Sequence, residues 1–258
     1  MNISICCPSY KRPIVKTLRY IPNCKIYIDQ KDEKSYCELN PNANIIICDD
    51  GIQGNVARVR NYILDKEFQK GADVVCIVDD DLQGIFRFDV DKQTNFGYVR
   101  NQIEDIYNFV YKYSIICEEF GFKLWGVNCN SDALSYRHYS PFSMSSIILG
   151  PFCCHLKNEI RYDEKLPLKE DYDLAIQHLN KYRGILRLNF AHYICEQSTN
   201  IGGCASMRNM IREKEQFDLL QKKWGNDIVR EDKSNKGGTK KIKRFDYNPI
   251  IKVPIKGI

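Results

Sequence analysis

Five consecutive apolar residues, Val74-Val75-Cys76-Ile77-Val78, run directly into three aspartates, Asp79, Asp80 and Asp81. A short, β-branched, unbroken apolar run reads as a strand buried on both faces, the kind found in parallel sheets covered by helices. In open α/β sheets, ligands bind just outside the carboxyl ends of the strands, which is where these acids stand. Carboxylates two apart on an extended tip point the same way, so Asp79 and Asp81 are expected to share one hard divalent cation. Mg²⁺ or Mn²⁺ in such a place also takes phosphate oxygens. Acids after a core strand read equally as a polar loop, so the rest of the chain has to decide.

Strand and helix signals alternate around that junction. Strands are expected at residues 2–7, 25–28 and 44–48, and a helix at 55–69 with Val56, Val59, Ile63 and Leu64 on one face and Gly71 as its stop. The strands at 25–28, 44–48 and 74–78 end in acids, and the first ends in Pro8-Ser9-Tyr10-Lys11-Arg12-Pro13. Farther on, periodicity predicts helices at 101–120 (Ile103, Ile106, Tyr107, Val110 and Tyr111 inward), 171–182 and 207–224, and strands at 124–129, 143–149 and 185–195. Alternating strands and helices with polar residues at strand ends describe a doubly wound, nucleotide-binding α/β domain.

At 258 residues and 43% apolar content, the chain can build one such domain with a small appendage. No apolar run reaches the ~18 residues that span a bilayer, and no export signal is visible, so a cytoplasmic protein is expected. The twelve cysteines lack Cys-x-x-Cys spacing and many fall in apolar strands, which fits free thiols in a reducing compartment. Residues 230–244 hold seven Lys or Arg against two acids, equal to the whole chain's net charge of +5. We therefore place a domain at 1–229 and a basic extension at 230–258. Its Lys240, Lys241, Lys243 and Arg244 suit a polyanion, or else form a solvated tail.

Other polar residues have two readings each. Asp29 either meets a nucleobase or ribose or caps the turn after its strand. Arg58 and Arg60, in the first turns of a helix, either clamp a diphosphate or are solvated. Glu170 and Asp171 complement a helix dipole or supply a general base. His192, near the end of an apolar strand, completes a metal shell or is a core histidine, and His155 is its rival. Trp224 is a stacking platform or the apolar end of a helix.

In order, these pieces resemble the glycosyltransferases of the A-type (GT-A) fold: a Rossmann-like, mixed, mostly parallel sheet flanked by helices, here with a C-terminal helical and basic extension. Pro8-Ser9-Tyr10-Lys11-Arg12 resembles the first-strand loop that meets the nucleotide, and Ile26-Tyr27-Ile28-Asp29 the strand with the base-binding aspartate. Residues 54–61, Gly-Asn-Val-Ala-Arg-Val-Arg-Asn, are similar to the helix preceding the metal strand, with Arg60 as the nucleotide contact. Val78-Asp79-Asp80-Asp81 resembles the Asp-x-Asp metal motif, Lys169-Glu170-Asp171-Tyr172-Asp173 the Glu-Asp motif whose second acid is the base of inverting members, and His192 the downstream metal histidine.

Closer wording, including Leu166-Pro167-Leu168, Gly202-Gly203 and Lys223-Trp224-Gly225, resembles the phage-associated branch of TET-associated glycosyltransferases. That resemblance implies Mn²⁺ or Mg²⁺, a UDP-sugar donor, and 5-hydroxymethylpyrimidine in DNA as acceptor. It also implies nucleotide-sugar contacts from Pro8, Ser9, Tyr10, Arg12, Asp29, Arg60 and Asp80, metal ligands Asp79, Asp81 and His192, and catalytic Asp171 with Glu170. Arg208, Arg212 and the basic extension become DNA contacts, in the host cytoplasm if phage-encoded. Rival readings are a saccharide or protein glycosyltransferase, a nucleotidyltransferase, and a non-catalytic DNA-binding module.

Overall fold

The structure, a computed structural model, describes residues 1–195, 209–232 and 247–253. Strands β1 (Ile3–Pro8), β2 (Lys25–Ile28), β3 (Asn44–Ile47) and β4 (Val74–Val78) are interleaved with helices α1 (Glu33–Leu39) and α2 (Val56–Gln69). A paired β5 (Leu82–Thr94) and β6 (Gly97–Gln102) precede α3 (Ile106–Glu119), β7 (Leu124–Asn128), the two-residue β8 (Phe142–Ser143) and β9 (Phe152–Leu156). Then come α4 (Glu170–Tyr182), β10 (Leu186–Cys195), α5 (Met210–Trp224), β11 (Val229–Glu231) and β12 (Pro249–Ile251).

One sheet takes the order β3-β2-β1-β4-β9-β7-β10-β5-β6, with β8 against β10. Strands β1 to β4, β6, β7 and β10 run one way and β5, β8 and β9 the other, so the sheet is mixed and mostly parallel, as expected. The chain steps outward from β1 to β3, then returns to lay β4 on the far side of β1. This reversal makes a switch point at the carboxyl ends of β1 and β4, the crevice where such sheets hold ligands.

Strand alternation divides the core. Val74, Cys76 and Val78 face a cluster containing Ile106, Phe109 and Val110 of α3. Val75 and Ile77 face the cluster with Val59 and Ile63 of α2 and Leu174 and Leu179 of α4. Helices therefore cover both faces. A third cluster, with Leu166, Ile176, Phe217, Leu220 and Val229, fastens α5 and β11 to the start and middle of α4. β11 and β12 pair as a separate antiparallel ribbon, and the expected 229/230 border falls inside β11.

Asn55 begins α2 as expected, its side chain accepting from the Ala57 and Arg58 N–H groups at 3.0 and 3.3 Å. Two expectations need correction. The helix expected at 101–120 starts only at Ile106, because β6 occupies residues up to Gln102 and Asp105 caps the helix through the Asn108 N–H at 2.9 Å. Tyr107 and Tyr111, expected inward, are exposed, and Phe109 and Cys117 pack inside instead. The strand expected at 143–149 is reduced to β8, because β9, a strand that periodicity does not announce, fills the slot beside β7. Among the described residues the cysteines are free thiols, and no helix is long and apolar enough to cross a membrane.

Candidate functional site

β4 stops at Val78, and the three aspartates turn into β5 instead of prolonging the strand. Their side chains take separate partners. Asp79 Oδ1 accepts from Arg60 Nη2 at 3.0 Å, and Asp81 Oδ2 lies 3.7 Å from Arg12 Nη1. Asp80 is buried, accepting from Ser9 Oγ at 2.7 Å and from Arg12 Nη1 at 3.0 Å. Burial pushes the Asp80 carboxyl above its ordinary range while Ser9 and Arg12 oppose the shift. Asp80 was expected on the nucleotide. It instead joins the loop after β1 to the turn after β4, because both its oxygens are already engaged inside the protein.

Two further side chains complete this joint. Tyr36 of α1 meets Ser9 Oγ at 2.7 Å, and its hydroxyl accepts from the Arg12 N–H at 3.0 Å. Thr17 donates to the Asp79 carbonyl at 2.5 Å, and its backbone N–H reaches the Asp80 carbonyl at 3.3 Å. Thr17 carries no motif in the sequence, and nothing there announces its role. Tyr10 is half-buried beside this loop, under the Lys11 ammonium at 4.9 Å. Asp29 is half-buried at the end of β2 and caps the following turn through the Lys31 N–H at 3.1 Å.

Arg60 is the centre of the site. It is 3% exposed on α2, and its guanidinium binds Asp79 on one side and Glu170 Oε1 (3.1 Å) on the other. The face of Tyr162 lies 5.6 Å from it. A Cβ at position 150 would stand 2.6 Å from Arg60 Nη2, so any side chain there would displace the guanidinium. Arg60, expected at the nucleotide, is paired here with two carboxylates in the interior. Arg58, on the opposite side of the helix, binds Glu164 at 2.8 Å.

The run from Lys169 to Asp173 sends each side chain to a different place. Lys169 is buried against Glu213 of α5 (2.6 Å), and Glu170 is held by Arg60. Asp173 is buried, accepting from Trp224 Nε1 at 2.7 Å and lying 2.9 Å from Lys223. That contact assigns Trp224 to fastening α5 on α4. Asp171 is left facing the site, accepting from the Gly150 N–H at 3.4 Å and from its neighbour Tyr172 N–H at 2.8 Å. Burial raises the Asp171 carboxyl above its usual range, with Arg60 pulling against it. A carboxylate raised in this way is suited to accept a proton.

His192 is not brought to the aspartates. It is fully buried on β10, between the rings of Phe86 (5.7 Å) and Phe88 (4.9 Å). Its pairing partner β7 shifts register between Leu188 and His192. Tyr193, pointing to the other face, is the residue whose phenol feels Asp79 and Asp171. Its buried hydroxyl has no hydrogen-bond partner among the described residues. His155, the rival ligand, is buried in β9 against the Tyr162 hydroxyl at 3.0 Å.

Among the described residues, no three His, Cys, Asp or Glu side chains gather as a metal-holding group. The carboxylates of Asp79 and Asp81 are hard oxygen donors of the kind Mg²⁺ or Mn²⁺ takes, one or two at a time, with water and phosphate oxygens completing the shell. Asp79 is one-third exposed, open enough to exchange a ligand. Arg212 is exposed on α5, and Arg208, Lys240, Lys241, Lys243 and Arg244 lie outside the described residues.

A family model, TET-Associated Glycosyltransferase, matches residues 14–204 of the chain. No curated protein matches it. Among solved structures, S. aureus TarS (residues 1–349) superposes with a TM-score of 0.48 at 13% identity, over 85% of this chain and 64% of that one. The chain thus spans less than two thirds of that TarS fragment. Glucosyl-3-phosphoglycerate synthase from Mycobacterium tuberculosis, in complex with Mn²⁺, UDP and glucosyl-3-phosphoglycerate, superposes at 0.46 with 9% identity, over 89% and 83%. A197 from STIV does so at 0.38 with 10% identity, over 76% and 86%.

Proposed function

The chain belongs to the TET-associated glycosyltransferase family, and on that premise we propose that it transfers a sugar, with inversion, from a UDP-sugar to 5-hydroxymethylpyrimidine in DNA. The observation that carries this reading is the Arg60 guanidinium, which binds Asp79 and Glu170 together beside Asp171. It sets an acidic turn suited to a leaving diphosphate next to a carboxylate with raised proton affinity.

Asp79 and Asp81 would hold Mn²⁺ or Mg²⁺, and that ion would supply charge neutralisation for a diphosphate leaving group. Asp171 takes the proton of the hydroxymethyl group as its oxygen attacks the anomeric carbon from the face opposite the breaking bond to the diphosphate. Glu170 keeps Arg60 in place and thereby the distance between turn and base. Pro8, Ser9, Tyr10 and Arg12 of the loop after β1, with Asp29 at the end of β2, are the residues assigned to the nucleotide. A pyrimidine in duplex DNA has to leave the stack to reach Asp171. Arg208, Arg212 and the basic residues of 230–258 meet the DNA backbone.

The test is to incubate the protein with Mn²⁺ and a panel of nucleotide-sugars on DNA containing 5-hydroxymethylcytosine or 5-hydroxymethyluracil, then weigh the released nucleosides. A gain of one sugar on the modified base, absent with unmodified DNA, is expected. Transfer to a saccharide or protein acceptor with none to the DNA would overturn the acceptor assignment.

A further inference from the structure

Beside Asp171 lies a cavity of about 510 Å³, a volume that suits a small molecule or one nucleotide unit. Leu149, which lines it, precedes the Gly150 whose N–H meets Asp171, and Tyr172, also in its wall, follows Asp171 directly. Cys129 lines it too, and its thiol feels both Arg187 and Asp171. The cavity therefore adjoins the carboxylate that the transfer reading makes the base.

Its walls are chemically divided. Ile147, Leu149 and Ile251 supply an apolar side, whereas Arg187 and Lys252 supply two cations, and no Asp or Glu lines it. Arg187 is half-buried on β10, and its Nε donates to the neutral Asn189 Oδ1 at 3.0 Å. Burial pushes its guanidinium down, and only Cys129 acts in the other direction. Arg12, also half-buried, and the fully buried Arg60 each have two carboxylate neighbours. Among the described residues Arg187 has no carboxylate partner, and a partly buried cation so placed is stabilised by a ligand that supplies the anion.

We propose that Arg187 and Lys252 form an anion subsite that binds a phosphate of the acceptor nucleotide, with the rest of that nucleotide against Ile147, Leu149 and Ile251. A guanidinium fork matches phosphate oxygens, whereas a neutral saccharide offers it hydroxyl acceptors but no charge to pair with. The place of the subsite in the reaction rests on the transfer reading above, whereas its affinity for phosphate does not. Lys252 and Ile251 make the C-terminal strand part of the acceptor wall.

Cys129 reports on the cavity directly, and Cys37, exposed on α1, serves as the internal control. Iodoacetamide labelling of both thiols is followed by peptide mass spectrometry, in inorganic phosphate against chloride of equal ionic strength. Phosphate is expected to slow labelling of Cys129 several-fold and leave Cys37 unchanged. Arg187→Met abolishes that protection, and Lys252→Met, at an exposed position, weakens it. Unprotected Cys129 in the wild-type protein, or undiminished protection in both variants, overturns the subsite.

A second arm compares kcat/KM on 5-hydroxymethylcytosine oligonucleotides whose flanking phosphates are native or replaced by uncharged methylphosphonates. The wild type should favour the native strand by about tenfold, and Arg187→Met should show no preference. The free nucleoside and its 5′-monophosphate separate a backbone phosphate from a terminal one. If no acceptor is glycosylated at all, the transfer reading fails while the labelling result still decides the subsite.

Discussion

Helix α2 carries two buried charges about two turns apart on one face, Arg60 and Glu67, and they sit in opposite kinds of surroundings. Glu67 is held by Ser4 of β1, by Lys25 and Tyr27 of β2 and by Lys70 of its own helix. Those partners lie along strands and helix, so the network closes on itself. Arg60 reaches the ends of elements: the turn after β4, the first turn of α4 and the loop at Gly150. Burial is alike in the two cases, and each side chain carries one full charge, of opposite sign. What sets Arg60 apart is that its partner Asp79 stands at the carboxyl end of the sheet and is one-third exposed.

The contrast is broken or sharpened by substitution. The largest effect belongs to the group Arg60 leaves facing the site. Asp171→Asn should reduce transfer by about 10²- to 10⁴-fold with thermal unfolding unchanged. The rising limb of the rate against pH should lie above the ordinary carboxylate range, because Asp171 must be deprotonated and its proton affinity is raised. Full activity in this variant would remove the base from the Arg60 side of the comparison.

Arg60→Met comes next. Leaving Asp79 and Glu170 without their shared cation should destabilise by about 3–5 kcal/mol, read by urea unfolding, and transfer should be lost even where the variant remains folded.

Glu67→Gln is the counterpart. Loss of its charged hydrogen bonds should cost about 1.5–3 kcal/mol, while kcat and KM on the folded fraction stay at wild-type values. Burial alone would push Glu67 up, but Lys25, Ser4, Tyr27 and Lys70 bring it to about 2. A carboxyl depressed in the folded state contributes stability that is complete above its unfolded value near 4.5 and disappears as pH falls toward 2. Glu67→Gln should therefore flatten the acid limb of stability over that window. A change in kcat would show that the two networks are not separate.

The smallest expected effect is at the junction of α4 and α5. Trp224→Phe removes one donor to Asp173, which keeps Lys223 and Gln177. A loss of about 1 kcal/mol is expected by thermal unfolding.

Much of this layout was legible in the residues. The apolar run of β4 and its acidic exit, the Asn55 cap of α2 and the acids opening α4 are local signals, and each gives the element it announces. The β5–β6 pair was not legible, because half of β5 is charged and solvated and lacks an apolar face to betray it. β9 was hidden for a different reason. It is an antiparallel strand placed between two strands that run the other way, and nothing local specifies such a neighbour. In the site, the motif order located Asp79, Arg60 and Asp171, but not which neighbour claims each charge. His192 and Tyr193 differ by one residue and hence by one face of the sheet, and a register shift in β10 is invisible to periodicity. Arg187 and Thr17 belong to no motif, and only tertiary contacts disclose them.

Asp80, clamped between Ser9 and Arg12, also bears on how the site takes a ligand. With the middle acid immobilised and Thr17 holding the backbone on either side, the turn has few conformations left to lose. Its ordering entropy is spent during folding, so a ligand bound at Asp79 and Asp81, as the transfer proposal has it, would meet a rigid receptor and keep more of its contact energy as affinity.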